Sequence, residues 1–136
     1  MGYEISDDPQ RIDLDVVLGF LSTEAYWGRY RSRADVETQW RSAWRVVGAY
    51  DGDELVAFCR ALSDGVALAY LADVFVSPAH RGHGLGKLLL KEMVADGPGA
   101  GFRWLLHTAD AHELYRQAGF REPDTTLMEL PHETTR

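Results

Sequence analysis

Between Val76 and Leu88 the chain reads VSPAHRGHGLGKL, with Gly82, Gly84 and Gly86 on alternate positions, Arg81 ahead of them and Lys87 behind. An apolar strand-like run, YLADVFV, leads in, and a helical pattern follows, so the glycines occupy a strand-to-helix turn. The first backbone N–H groups of a helix have no intrahelical partners, and the macrodipole adds about half a positive charge there. Glycines lack the β-carbon that would keep a phosphate from approaching the backbone. Residue types and spacing therefore point to an anion held at this turn.

Two nucleotide motifs fail against the letters. A Walker loop requires glycine where Arg81 stands and a hydroxyl residue where Leu88 follows Lys87. The dinucleotide fingerprint GxGxxG is not matched by Gly82, Gly84 and Gly86, which run as GxGxG. The phosphate survives, while the nucleoside triphosphate and the dinucleotide do not.

Other residues capable of chemistry stand apart from the turn. Asp73 interrupts YLADVFV, and a carboxylate in an apolar run must be paired, shifted in pKa, or functional. His107 ends the run FRWLLH and is a second proton-transfer candidate. Cys59 lies inside AFCRAL and reads as a small core residue. His80, His83 and His112 lack any paired ligand spacing, so no metal is expected.

The elements that must position these residues follow from periodicity. Leu14, Val17, Leu18 and Leu21 make one helical stripe, and Val36, Trp40, Ala43 and Trp44 another. RVVGAY, ELVAFCRAL and VALAYLADVFV, joined at Asp51-Gly52-Asp53 and Ser63-Asp64-Gly65, predict an antiparallel meander. Leu85, Leu88, Leu89 and Met93 mark a helix ended by DGPGAG, and FRWLLH a further strand. Asp110 with Glu113 predicts a capping box for a helix striped by Ala111, Leu114, Tyr115 and Ala118, and TTLMEL a last strand.

With 136 residues, 46% of them hydrophobic and 26% charged, the chain is expected to form a single domain over 1–136. A net charge of -7 argues against nucleic acid as a partner, since phosphate contacts need clustered cations. The acidic opening MGYEISDDPQ and the absence of a long apolar run predict no membrane span and a soluble, cytoplasmic protein.

Arg81-x-x-Gly84-x-Gly86, after Val76-Ser77-Pro78 and before a run of leucines, resembles motif A of the GNAT N-acetyltransferase family. LYRQAGF, from Leu114 to Phe120, resembles that family's Leu-Tyr-x-x-x-Gly-Phe signature. The resemblance implies an α/β (α+β) fold, with a mixed, mostly antiparallel central sheet of six to seven strands flanked by about four helices. It implies acetyl-coenzyme A as co-substrate, without a metal, and transfer of the acetyl group to an amine by direct attack in a ternary complex. A small-molecule acceptor is preferred over a protein, and the chain is expected as a monomer or homodimer. The alternative is an acyl-coenzyme A binding or sensing domain without turnover.

Carried onto this chain, the resemblance assigns backbone groups of Val74, Phe75 and Val76 to the pantetheine arm. Arg81, Gly82, His83, Gly84, Leu85, Gly86 and Lys87 would cradle the pyrophosphate. Tyr115 would return a proton to the departing thiolate, a task suited to a phenol that keeps its proton at neutral pH. Thr108 stands where relatives often carry asparagine, so cofactor contact there would run through a hydroxyl. The base stays open between Asp73, His107 and water. Tyr26, Trp27 and Tyr30, with His107, would line the acceptor pocket. Aromatic faces there favour a cationic amine or flat ring, whereas Arg29, Arg31 and Arg33 favour a carboxylate or phosphate.

Overall fold

The computed structural model describes residues 2–24 and 31–131. Tyr26, Trp27, Arg29 and Tyr30, drawn from the expected acceptor region, lie outside the described residues. The sheet is ordered β1-β2-β3-β4-β5. Its strands are β1 (Glu4–Ser6), β2 (Arg45–Asp51), β3 (Glu54–Ser63), β4 (Leu68–Val76) and β5 (Arg103–Leu105). The first four are antiparallel neighbours, and β5 pairs parallel to β4. The expected meander is β2-β3-β4. Its first turn needs Gly52 at φ 62°, and its second is tied by Asp64, whose Oδ1 accepts from the N–H groups of Val66, Ala67 and Leu68.

Helices cover both faces. On one side, α1 (Leu14–Thr23) starts from Asp13, whose carboxylate accepts from Asp15 N–H, and α2 (Arg33–Arg41) starts from a Ser32/Asp35 capping box. Their stripes bury Val17, Leu21, Val36 and Trp40 against Val46, Tyr50, Phe58 and Phe75. On the other side, α3 (Leu85–Leu90) and α4 (His112–Gln117) pack Leu85, Leu89 and Tyr115 over Val47, Cys59, Ala61 and Leu71. A π turn, Lys91–Ala95, continues α3. Arg45, at the start of β2, donates to the carbonyls of Glu92 and Met93 and pairs with the carboxylates of Glu92 and Asp7, so this turn is pinned to the sheet.

The structure corrects three expectations. The sheet has five strands among the described residues, not six to seven. TTLMEL pairs with no strand, and Leu127, Met128 and Leu130 are exposed; β propensity without a ladder and a face to bury does not hold a strand. Conversely β1, three residues long, is too short to show alternation. Second, α2 ends at Arg41, and Trp44 crosses to the other face to pack on Phe102 and Trp104. Third, Asp110 does not cap α4. Ala111 itself occupies the cap position, and Thr108 Oγ1 accepts its N–H at 3.0 Å.

Candidate active site

The site begins with an irregularity in β4. Phe58 pairs with Phe75 and Arg60 with Ala72, so one residue of β3 between these pairs faces two of β4, Asp73 and Val74. This is a β-bulge, and Asp73 takes φ 55° to make it, the one positive φ at a non-glycine residue among those described. An aspartate tolerates that conformation better than most side chains, at a cost of about 1 kcal/mol. The bulge inverts the facing of the strand. Leu71 packs into the α3 core, but Phe75, four residues on, packs under α1 and α2. Asp73 is thereby turned to the α1/α2 face as a buried carboxylate.

There it is surrounded by cations. Arg31, just before α2, grips it with two bonds, Nη1 to Oδ2 and Nη2 to Oδ1, each 2.8 Å, and Arg60 Nε donates to Oδ2 at 2.6 Å. Arg31 Nη1 also donates to Gln39 Oε1. Burial alone would push the Asp73 carboxyl up; hydrogen bonding from Arg31 and the charges of both guanidinium groups outweigh it and hold the carboxyl below its usual range. Such a carboxylate is a poor proton acceptor.

β4 and β5 stay paired only through Leu68–Arg103, Ala69–Trp104 and Tyr70–Leu105. Beyond Tyr70 they separate, and a cleft of about 1010 Å³ opens between Leu71–Val74 and Leu106–Ala111. It reaches through the sheet: Arg31, Arg60 and Asp73 line it from the α1/α2 face, and Tyr115 from the α3/α4 face. Past Tyr70 no described strand pairs with the far edge of β4, so peptide groups of its last residues are turned toward this opening. A second cavity, about 520 Å³, lies behind β5 against α4 and the 120–129 segment, sharing Tyr70, Leu106, His107, Thr108 and Tyr115 with the first.

The glycine turn follows directly. Ser77 is fixed by donating its N–H to Val56 O, a 3-10 turn spans Pro78–His80, and Gly82 and Gly84 take φ 85° and 78°. Gly84 is the cap of α3. Nothing lies within 4 Å of a β-carbon at either glycine, so the requirement there is backbone conformation, not space. Gly86 differs: its β-carbon would meet Leu114 Cδ2 at 3.3 Å, so it sets the approach of α3 to α4. Arg81 folds back, Nε donating to Val76 O at 3.0 Å. His83 Nδ1 lies 3.0 Å from His80 O, and His80 Nδ1 3.1 Å from the Tyr3 hydroxyl, so neither ring faces the turn unoccupied. Leu85 is buried in the core and offers the turn only its amide, while Lys87 is exposed.

Tyr115 is nearly buried, edge-on to Phe120, and lines both cavities. His107 Nδ1 lies 2.5 Å from the Tyr70 hydroxyl and its Nε2 3.3 Å from Glu129 Oε2. Tyr70, Glu129 and Arg60 escaped the sequence reasoning. Arg60 carried a signal that could have found it, since it interrupts AFCRAL as Asp73 interrupts YLADVFV. No group of three or more His, Cys, Asp or Glu among the described residues is arranged to hold a metal. No helix among them is long and apolar enough to cross a membrane.

Comparisons with known proteins agree with this arrangement. The family model described as the acetyltransferase (GNAT) family matches residues 14–120. A crystal structure of a protein assigned to the GNAT family from Xanthomonas campestris pv. campestris is 34% identical, with a TM-score of 0.89 over 97% of this chain and 94% of that one. Serotonin N-acetyltransferase 2, chloroplastic, from Oryza sativa subsp. japonica is 40% identical over 72 residues. That match spans 51% of this chain and 36% of the rice protein, little more than a third of its length. A structure of a protein of unknown function from meticillin-resistant Staphylococcus aureus, 19% identical with a TM-score of 0.74 over 98% of this chain and 100% of that one, speaks to the fold alone. Fold and relatives define the class as an α/β acetyltransferase. The chain belongs to the GNAT family.

Proposed function

We propose that the protein moves an acetyl group from acetyl-coenzyme A to the amine of a small molecule, by direct attack while both are bound. The observation that carries this reading is the cleft that passes through the sheet beside the glycine turn. It offers one ligand the open edge of β4 on the α3 face and a second ligand the α1/α2 face.

The residues fit the cofactor on chemical grounds. The turn from Arg81 to Lys87 would offer backbone N–H groups at the start of α3 to a pyrophosphate, and Val74 and the Val76 N–H would offer peptide groups to an amide-bearing arm, whereas Phe75 faces Phe58 of β3 and the Val76 carbonyl already accepts from Arg81 Nε. Thr108 holds the first turn of α4 through Ala111 and contributes to the cofactor wall of the cleft. When bound, acetyl-coenzyme A supplies the activated acetyl group. A β4 amide beside the bulge would steady negative charge on the acyl oxygen, a contribution of about 3 kcal/mol in comparable acyl transfers. Tyr115 would deliver the phenolic proton to the leaving sulfur.

For the base, the ion triad favours His107 over Asp73. Tyr70 can receive the amine's proton at Oη while passing its own to His107 Nδ1, and Glu129 can stabilise the resulting imidazolium through Nε2. Asp73 then serves as an anchor for Arg31 and Arg60. The test is thermal stabilisation by acetyl-coenzyme A, together with thiol release across a panel of amines. Gly84→Glu is expected to abolish the stabilisation, and Tyr115→Phe to lower kcat while leaving the stabilisation intact. Undiminished stabilisation of Gly84→Glu would sink the loop assignment, and silence across all amines would sink acetyl transfer.

A further inference from the structure

The floor of the cleft is over-supplied with hydrogen-bond donors. Two guanidinium groups face one carboxylate there, and both carboxylate oxygens are already taken. Arg60 is 8% exposed and uses only Nε on Asp73; its terminal nitrogens have no hydrogen-bond partner among the described residues, although the side chain lines the cleft. Arg31 Nε is buried with no partner. The other acids of the cleft wall do not bond to Arg60: Asp35 accepts from Ser32 N–H in its capping box, and Asp110 is exposed.

Unlike Arg31 Nε, the terminal nitrogens of Arg60 are reached from the cleft, and a planar fork of two N–H groups open to a ligand matches a carboxylate. We propose that Arg60, oriented by Asp73 and assisted by Arg31, binds a carboxylate of the acceptor, which is therefore an amine that also carries an acid group, such as an amino acid. This rests on the acetyl-transfer reading for the amine, but the carboxylate site stands on the floor geometry. Asp73 has a distinct part in it. By holding Arg60 Nε and both terminal nitrogens of Arg31, it fixes the guanidinium planes, and the cluster of two arginines and one aspartate keeps one positive charge in excess. A polyamine without an acid group would bring no acceptor for these donors.

The test uses the intact protein and compares free amino acids and short ω-amino acids with their own carboxamides and decarboxylated amines. Titration calorimetry is expected to show at least one carboxylate binding 10-fold or more tighter than its carboxamide. Arg60→Lys, which keeps the charge beside Asp73 but loses the fork, is expected to remove most of that preference; Arg60→Met should do the same if it folds. Thiol release from acetyl-coenzyme A should show the same preference in the acceptor KM, with the KM for acetyl-coenzyme A unchanged. Equal binding of acids and amides by the wild type, or no binding of any acid in the panel, overturns the proposal without recourse to a variant. Efficient acetylation of amines lacking a carboxylate overturns it while leaving acetyl transfer standing. Carboxylate binding without thiol release for any amine supports the site and strikes the transfer reading instead.

Discussion

Replacing Asp73 with Asn isolates the charge of the buried triad, because asparagine keeps the shape and tolerates the positive φ of 55° equally well. What is lost is the anion between Arg31 and Arg60, whose three charge-assisted bonds measure 2.6 to 2.8 Å. The Asp73 side chain is only 4% exposed, so water screens little of the interaction. Removing one partner of a buried ion pair costs about 3–5 kcal/mol, and the residual amide oxygen places this case near the lower figure. With a urea slope of about 1.5 kcal/mol per molar, the unfolding midpoint should fall by about 2 M. The pH dependence has a definite sign. The folded carboxyl titrates below its unfolded value, so its contribution is complete above that unfolded value, about 3.9, and is lost as pH falls through the folded one. The gap between wild type and Asp73→Asn should therefore be flat above about pH 5 and narrow in more acidic solution. A loss below about 1 kcal/mol at pH 7, or a gap that does not narrow in acid, would refute the account of the triad.

Two glycines should respond to alanine with opposite signs. A β-carbon at Gly97 would lie 2.4 Å from Arg45 Nη1 and 2.8 Å from Glu92 O, both immobile, so Gly97→Ala should lose about 1–3 kcal/mol in denaturant titration. Gly19, inside α1 with nothing within 4 Å of its β-carbon, should gain about 0.5–1 kcal/mol on the same change. Burial pushes the Cys59 thiol up to about 12, so it should resist disulfide reagents at pH 8 in the native protein and react only on unfolding. Labelling at the rate of a free thiol would show that the β3 core opens.

Features governed by neighbours in the chain could be read from the letters. Gly82 and Gly84 stand where φ must be positive, Gly52 where a hairpin must turn, and the stripes of α1 and α3 repeat with the helical period. Features governed by distant pairing could not. The bulge at Asp73 exists only in the register of β4 against β3. The contact of His107 with Tyr70 depends on the register of β5 against β4, and its contact with Glu129 on how a strandless tail returns across β5. Arg60 lay between these cases. Its charge in an apolar strand announced a partner, and the partner was the equally misplaced charge one strand away.

The bulge makes β4 a strand with two reading frames. Upstream of Asp73 one parity of residues points to α3, downstream the other parity does, and one extra residue separates the frames. Any single insertion or deletion within Leu68–Val76 would merge or displace them, exchanging Leu71 or Phe75 between cores while swinging the acid out of reach of its arginines. For that reason β4 should tolerate substitution along its length better than a change in length. The acid that anchors Arg31 and Arg60 at the floor of the cleft therefore depends on that one added residue.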